Sequence, residues 1–344
     1  MKWTKQRINN LFFCLGVVTV VVMLFTFDVS FAELWEHLCH AGYWLIPIVG
    51  VWIIIYAINA WSWKCIIDGV KSPDEHVSNL RIYRLTITGY ALNYSTPVGG
   101  LGGEPYRIIE LSKNISQDHA ASSVILYAMM HIFAHFWFWF LSIFIYLALV
   151  AVGDLPMTTT VTIILSLIFV LFLLAFYFFA KGYKHGLALK GIRMAGKIPG
   201  LKGWSKRFLH RHSGTLHKID RQIASLHKQK KRSFYAALTL EYFSRVVQSS
   251  EFFFMLLLFG IDNGGGWSGL MLTYLHSILI LAFTSFLANI IGFLPMQLGV
   301  QEGGFVLSIA ALGLSAALGI FVSIICRVRE IIWIAIGMAL MKLK

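Results

Sequence analysis

The sequence predicts an all-α polytopic membrane protein, with about six full transmembrane helices and two re-entrant, broken-helix hairpins that form an inverted repeat. Three observations predict it. Hydrophobic residues make up 58% of the 344-residue chain and charged ones 13%, against about 25% charged in an average soluble domain. Six apolar runs approach or exceed the roughly 20 residues that a helix needs to cross the hydrocarbon core. Two further apolar segments, 80–112 and 267–313, are interrupted near their middles by proline and glycine.

The first apolar run, 8–27, follows Lys2, Lys5 and Arg7 and is too long for the apolar part of a cleaved leader, so it reads as a retained first helix. With the basic N-terminus on the cytosolic side, this helix leads out to Asp28, Glu33 and Glu36, and a second helix returns through Trp52 to Lys64. Segment 118–150 then leads outward to Asp154, and 161–180 returns. Segment 234–260 goes out again, and a last span over 316–340 brings Lys342 and Lys344 back inside. Both termini are therefore expected in the cytosol and the chain in the cytoplasmic, inner membrane. One transmembrane domain, 1–344, holds two halves at about 43–150 and 234–341.

The formal charge is +13, but 15 of the 29 Lys and Arg residues fall between Lys181 and Arg232, with Asp220 as the one acid there. Basic loops are retained on the cytosolic side and attract anionic headgroups, so the cluster reads as topology and lipid contact rather than a nucleic-acid footprint. Within the 182–232 loop, Leu216, Ile219, Ile223 and Leu226 recur at helical spacing and predict an amphipathic surface helix. Cys14, Cys39, Cys65 and Cys326 are isolated and predict neither a disulfide framework nor a zinc site. No metal or cofactor is expected. His131 and His135 are one helical turn apart but stand in an aromatic stretch, where hydrogen bonding between helices is the expected role, with proton relay a further one.

The two interruptions match. The first runs Pro97-Val98-Gly99-Gly100-Leu101-Gly102-Gly103-Glu104, and the second Pro295-Met296-Gln297-Leu298-Gly299-Val300-Gln301-Glu302-Gly303-Gly304. In each, proline stands seven positions before glutamate with glycine between. Proline removes a backbone donor and glycine loosens the helix, so these stretches are either polar loops at the membrane surface or irregular backbone covered by protein or a wet cavity. Apolar flanks on both sides favour hairpins whose tips meet within the bilayer, the first opening inward and the second outward. Paired broken helices in inverted halves point to a transporter's central site. Glu104 and Glu302 then begin the returning half-helices, where the helix dipole favours a carboxylate.

The string Pro97-x-Gly-Gly-x-Gly-Gly-Glu104-x-x-Arg107, with Leu294-Pro295-x-x-x-Gly299-x-x-Glu302-Gly303-Gly304 and Arg327, resembles the lysylphosphatidylglycerol synthase transmembrane region family over roughly residues 8–340. In that family the membrane domain of the multiple peptide resistance factor is regarded as a flippase for aminoacylated phosphatidylglycerol. The resemblance implies lipid transport; with only Lys-Leu-Lys after Met341, it does not imply the aminoacyl-transferring enzyme.

The expected activity is translocation of an anionic or aminoacylated phospholipid, or a related lipid, by alternating access. The alternative is an integral-membrane transferase acting on a polyprenyl-linked or phospholipid substrate. The candidate substrate-binding residues are Pro97, Gly99, Gly100, Gly102, Gly103, Glu104, Arg107, Pro295, Gly299, Glu302, Gly303 and Arg327, supported by Asn93, Glu241, Arg245 and Asn289. Arg107 pairs locally with Glu104 or clamps a phosphate; Glu302 needs a distant partner such as Arg327 or Arg107, or a proton. Glu241 and Arg245 stand at i,i+4 and form an ion pair or line the site. Expected partners are membrane lipids, with a second copy of the chain and a separate lipid-modifying enzyme as further candidates, and no nucleic acid.

Overall fold

The computed structural model describes residues 42–95, 102–185, 231–290 and 300–342, Cys39, and isolated positions between 193 and 217. The expected first helix, the Pro97 and Pro295 breaks and the expected amphipathic surface helix lie outside them. All nine α-helices described come without a strand among the described residues: α1 Leu45–Val70, α2 Asn79–Ser95, α3 Gly103–Leu111, α4 Gln117–Ala151, α5 Thr159–His185, α6 Lys231–Leu258, α7 Gly266–Ile290, α8 Val300–Ala311 and α9 Ala316–Lys342.

Helices α1, α4, α5 and α7 are long and apolar enough to cross a membrane. Helices α6 and α9 match them in length, but Glu241, Arg245 and Glu251 on one and Arg327, Arg329 and Glu330 on the other lower their hydropathy. Apolar side chains such as Ile163, Leu167, Val170 and Leu171 stay exposed on α5, as a lipid-facing surface requires.

Local signals explain where the helices start and stop. Pro105 sits in the first turn of α3, where no intrahelical N–H is needed. The side chain of Ser116 accepts the N–H of His119 to cap α4. Gly153 (φ 81°) and Gly260 (φ 71°) end α4 and α6 in the left-handed conformation that side chains resist. There Asp154 N–H donates to Leu149 C=O and Ile261 N–H to Leu256 C=O.

Side-chain contacts fix the direction of each element. Arg81 at the start of α2 bonds Glu110 and Asn114 at the far end of α3, whereas Asn93 near the end of α2 bonds Gly103 and Glu104 at the beginning of α3. Helices α2 and α3 are thus antiparallel arms. Thr284 meets Gly304 and Ser308, while Asn289 at the end of α7 and Gln301 at the start of α8 line one cavity, so α8 folds back along α7. Trp52 contacts Glu251 and Ser62 contacts Ala237, so α1 and α6 run antiparallel.

The connections then sort to two ends. At one end Glu75 of the 71–78 connection meets Ser116 and His119, and the open end of the α2–α3 pair lies beside them. Met338 near the end of α9 packs there too, with Trp63, Val77 and Ile115. At the other end His276 of α7 holds Asp154 at 2.6 Å, and Phe259 meets Phe321 near the start of α9. The α7–α8 pair opens at this second end. Its first arm is longer than a half-helix: 25 residues span about 37 Å at about 1.5 Å each, enough to cross the hydrocarbon.

Close backbone approach explains Gly103. A Cβ there would stand 2.0 Å from the Gly89 carbonyl oxygen, so α2 and α3 touch where only glycine fits. Gly103→Ala is expected to lower stability by about 1–3 kcal/mol through the forced separation, read as a lower unfolding temperature in detergent.

Glu75 supplies a second test. It accepts the N–H groups of Ser116 at 2.6 Å and Ser72 at 2.9 Å and lies 2.7 Å from His119 Nδ1. Burial alone would raise its pKa, but these N–H donors and the imidazole outweigh burial and hold it at about 2, against an ordinary 4.5. On acidification the unfolded chain takes up this proton first, so the clasp stabilises fully above pH 4.5 and ceases to do so as pH falls towards 2. The gap in unfolding temperature between wild type and Glu75→Gln is expected to be widest near neutral pH and to close in acid.

Candidate functional site

Every described helix except α5 contributes to the wall of a cavity of about 380 Å³. That volume suits a small polar headgroup. Four arginines reach it, Arg107, Arg245, Arg327 and Arg329, with Glu104 and Glu330 as the lining carboxylates. Charges placed this deep among apolar helices are tolerated only with partners.

On the first wall, Glu104 in the opening turn of α3 accepts from Asn93 Nδ2 at 3.1 Å and from Arg107 at 3.3 Å. Its second oxygen, Oε2, is buried without a hydrogen bond among the described residues. Asn93 Oδ1 accepts the Gly103 N–H at 2.6 Å, so one side chain caps the helix and orients the carboxylate. Arg107 donates to the carbonyls of Leu85 and Thr86, and its guanidinium lies 4.9 Å from the Tyr90 ring centre and 5.4 Å from that of Tyr127. A Cβ on Gly89 would stand 2.0 Å from Arg107 Nε.

The opposite wall is a ladder of alternating charge. Arg327 donates to Glu302 at 2.7 Å and to Glu330 at 2.9 Å, and Gln301 also donates to Glu330. Arg329 donates to Glu251 at 2.8 Å and stacks over Trp52 at 4.2 Å, while the Trp52 indole donates to the other Glu251 oxygen. The ladder pins α9 to α8, α6 and α1 together.

Arg245 stands between the walls and differs from the other three. It donates to Gln248 at 2.8 Å and to His131 Nε2 at 2.6 Å, with no carboxylate within ion-pair distance among the described residues. His131 Nδ1 lies 2.8 Å from Glu241. A neutral imidazole protonated at Nδ1 donates to Glu241 and leaves Nε2 as the nearer acceptor for Arg245, whose Nη2 lies beside the ring, 3.2 Å from Nδ1 as well. The i,i+4 ion pair expected from spacing is therefore replaced by a histidine bridge: α4 inserts His131 between the two side chains.

Asn93, Glu104, Arg107, Arg245, Asn289 and Arg327 all line the cavity. Glu302 sits behind Arg327, its expected partner, and Glu241 is buried behind His131. Gly102 is buried immediately before α3 and Gly103 is a packing contact, while Gly303 faces open space. Pro97, Gly99, Gly100, Pro295 and Gly299 lie outside the described residues. The wall also recruits residues absent from the sequence-derived set: Trp52, Tyr90, Tyr127, His131, Gln301, Arg329 and Glu330. Charge inside an apolar run signals Arg329 and Glu330, but nothing local distinguishes the aromatic residues from others in this aromatic-rich chain.

Fold and cavity together define an all-α integral membrane protein with a charged internal site. Its sequence matches the family of lysylphosphatidylglycerol synthase TM regions over residues 13–337, nearly the whole chain, and the protein belongs to that family. This membership associates it with membrane lipids. No curated protein and no solved structure gives a significant match.

Partner removal tests the ladder. Arg329→Leu leaves Glu251 as an uncompensated buried carboxylate and is expected to cost about 3–5 kcal/mol, part of which Arg329→Leu with Glu251→Leu recovers. Denaturation of both variants in detergent checks this; equal losses would mean that the pair is uncoupled. Arg327 is bound by two glutamates in the same way, so its removal is expected to perturb folding as well as any transport.

Proposed function

We propose that the protein is a lipid flippase that moves an anionic or aminoacylated phospholipid across the cytoplasmic membrane, with its headgroup in the central cavity and its acyl chains in lipid. The observation that carries this reading is Arg245, a cavity-lining guanidinium whose hydrogen-bond partners among the described residues are Gln248 and His131, with no carboxylate in direct contact. Its forked donors suit a phosphate oxygen pair, and Gln248 and His131 hold them without a direct ion pair.

Several features support alternating access. The interrupted segments end at one cavity, through Asn93 and Glu104 on one side and Asn289 and Gln301 on the other. Their helix pairs open at opposite ends of the bundle, and the first helices of the two halves run antiparallel. These relations support an inverted repeat built on two interrupted helix pairs, the second of which has a first arm long enough to cross the hydrocarbon. Helix α5 ends and α6 starts at the end where the α2–α3 pair opens, and the basic composition of 182–232 supports a cytosolic location for that end.

The test is dithionite quenching of fluorescent phosphatidylglycerol and its lysyl form in proteoliposomes. Wild type is expected to expose inner-leaflet lipid. Arg245→Ala loses a charged hydrogen-bonding group worth about 2 kcal/mol and is expected to slow flipping more than tenfold, with Arg245→Lys between the two. A wild-type rate in folded Arg245→Ala would remove Arg245 from the site. Chemical conversion of the lipid by purified protein would instead identify a transferase.

A further inference from the structure

Glu241, His131 and Arg245 form a hydrogen-bonded row between two helices, with Glu241 fully buried at its inner end and Arg245 on the cavity at its outer end. The groups around His131 come from every neighbouring element. Tyr90 of α2 reaches Nδ1 at 3.3 Å, Tyr127 and His135 flank it on α4, Arg107 of α3 stacks on the same tyrosines, and Glu241 and Arg245 come from α6. No other carboxylate is within ion-pair distance of the imidazole among the described residues.

With Glu241 ionised and His131 neutral, the row of carboxylate, imidazole and guanidinium carries no net charge. A phosphate monoanion arriving at Arg245 adds a buried negative charge and draws Arg245 away from the His131 Nε2 lone pair. That nitrogen is then bare, next to an anion, and backed by the Glu241 carboxylate on its opposite side. One proton from solution on Nε2 restores neutrality, and the new N–H has the phosphate as its acceptor. Hydrogen-bond count and charge balance with a single proton, whereas without it the cavity holds an uncompensated charge and an unsatisfied ring nitrogen.

We propose that the Glu241–His131 pair is the proton-binding site of the transporter, taking up one proton for each anionic headgroup that engages Arg245. This rests on the reading of the cavity as the headgroup site and adds the ion to which occupancy is coupled. His131 and Glu241 act on the headgroup through proton and charge balance, Glu241 as a positioning residue that holds the ring with Nε2 facing the cavity.

The experiment is calorimetric binding of dioctanoyl phosphatidylglycerol to the purified protein in two buffers of different ionisation enthalpy, repeated between about pH 6 and pH 8. Wild type is expected to take up about one proton per lipid bound, with affinity falling about tenfold per pH unit. His131→Gln keeps a polar side chain that does not titrate; it is expected to bind more weakly, without proton uptake and without pH dependence. Glu241→Gln, checked for folding by its unfolding temperature in detergent, provides a second variant with the same expectation of reduced uptake. Saturable wild-type binding with no proton uptake, or His131→Gln retaining wild-type uptake, overturns the coupling while leaving the headgroup site intact. Absence of saturable binding by folded wild type overturns the headgroup reading itself, and the coupling with it.

Discussion

A charge inside an apolar bundle must find a partner, and the rest of this structure depends on how that requirement is met. In the ladder from Glu302 through Arg327, Glu330 and Arg329 to Glu251, the last four side chains are buried and Glu302 is partly exposed at its end. Desolvation of each group costs several kcal/mol unless an opposite charge and further hydrogen bonds are aligned with it. Here the alignment comes from tertiary structure. Glu302 belongs to α8, Glu251 to α6 and the arginines to α9, while Trp52 of α1 closes the row. Helices that lipid alone would not hold together gain an orientation, since shifting any one of them leaves a buried charge exposed to hydrocarbon.

The same logic governs the interrupted segments. A break in a helix frees backbone groups that hydrocarbon does not satisfy. Asn93 answers part of this need by accepting the Gly103 N–H and donating to Glu104, so that a polar side chain near the end of α2 finishes the start of α3. The carboxylate fits there because the first turn of a helix favours negative charge. Gly89 and Gly103 let the arms touch and leave room for Arg107 to lie along α2. Packing and polarity are therefore solved by the same few residues, which is why a methyl group at either glycine reaches the site.

Against these paired groups, Arg245 is the exception that gives the cavity a chemical preference. Three of the lining arginines are compensated by glutamates, and this one is offered hydrogen bonds without charge. Such an arrangement leaves the guanidinium without a direct ion pair among the described residues, so its donors can turn to an incoming anion while Gln248 and His131 hold it in place. Placing a histidine between it and the buried Glu241 keeps the resting row neutral. The cavity is thereby polar and ordered without being filled by its own ion pairs.

By itself the sequence determined the class, the long helices and the two interruptions, because composition, apolar run length and the effect of proline and glycine act locally. It also singled out Glu104, Arg107, Glu302 and Arg327, since a charged residue inside or beside an apolar stretch is visible one position at a time. Only the tertiary structure decided how these meet. The i,i+4 spacing of Glu241 and Arg245 reads as a direct pair, but the partner that separates them, His131, lies 110 positions away from Glu241. Gly103 reads as part of a flexible loop and proves to be a steric contact with Gly89, a fact about two backbones crossing rather than one backbone bending. Likewise Trp52, Tyr90 and Tyr127 were indistinguishable from lipid-facing aromatics until the bundle turned them inward, because what separates an interior ring from an exterior one is the helix that packs against it.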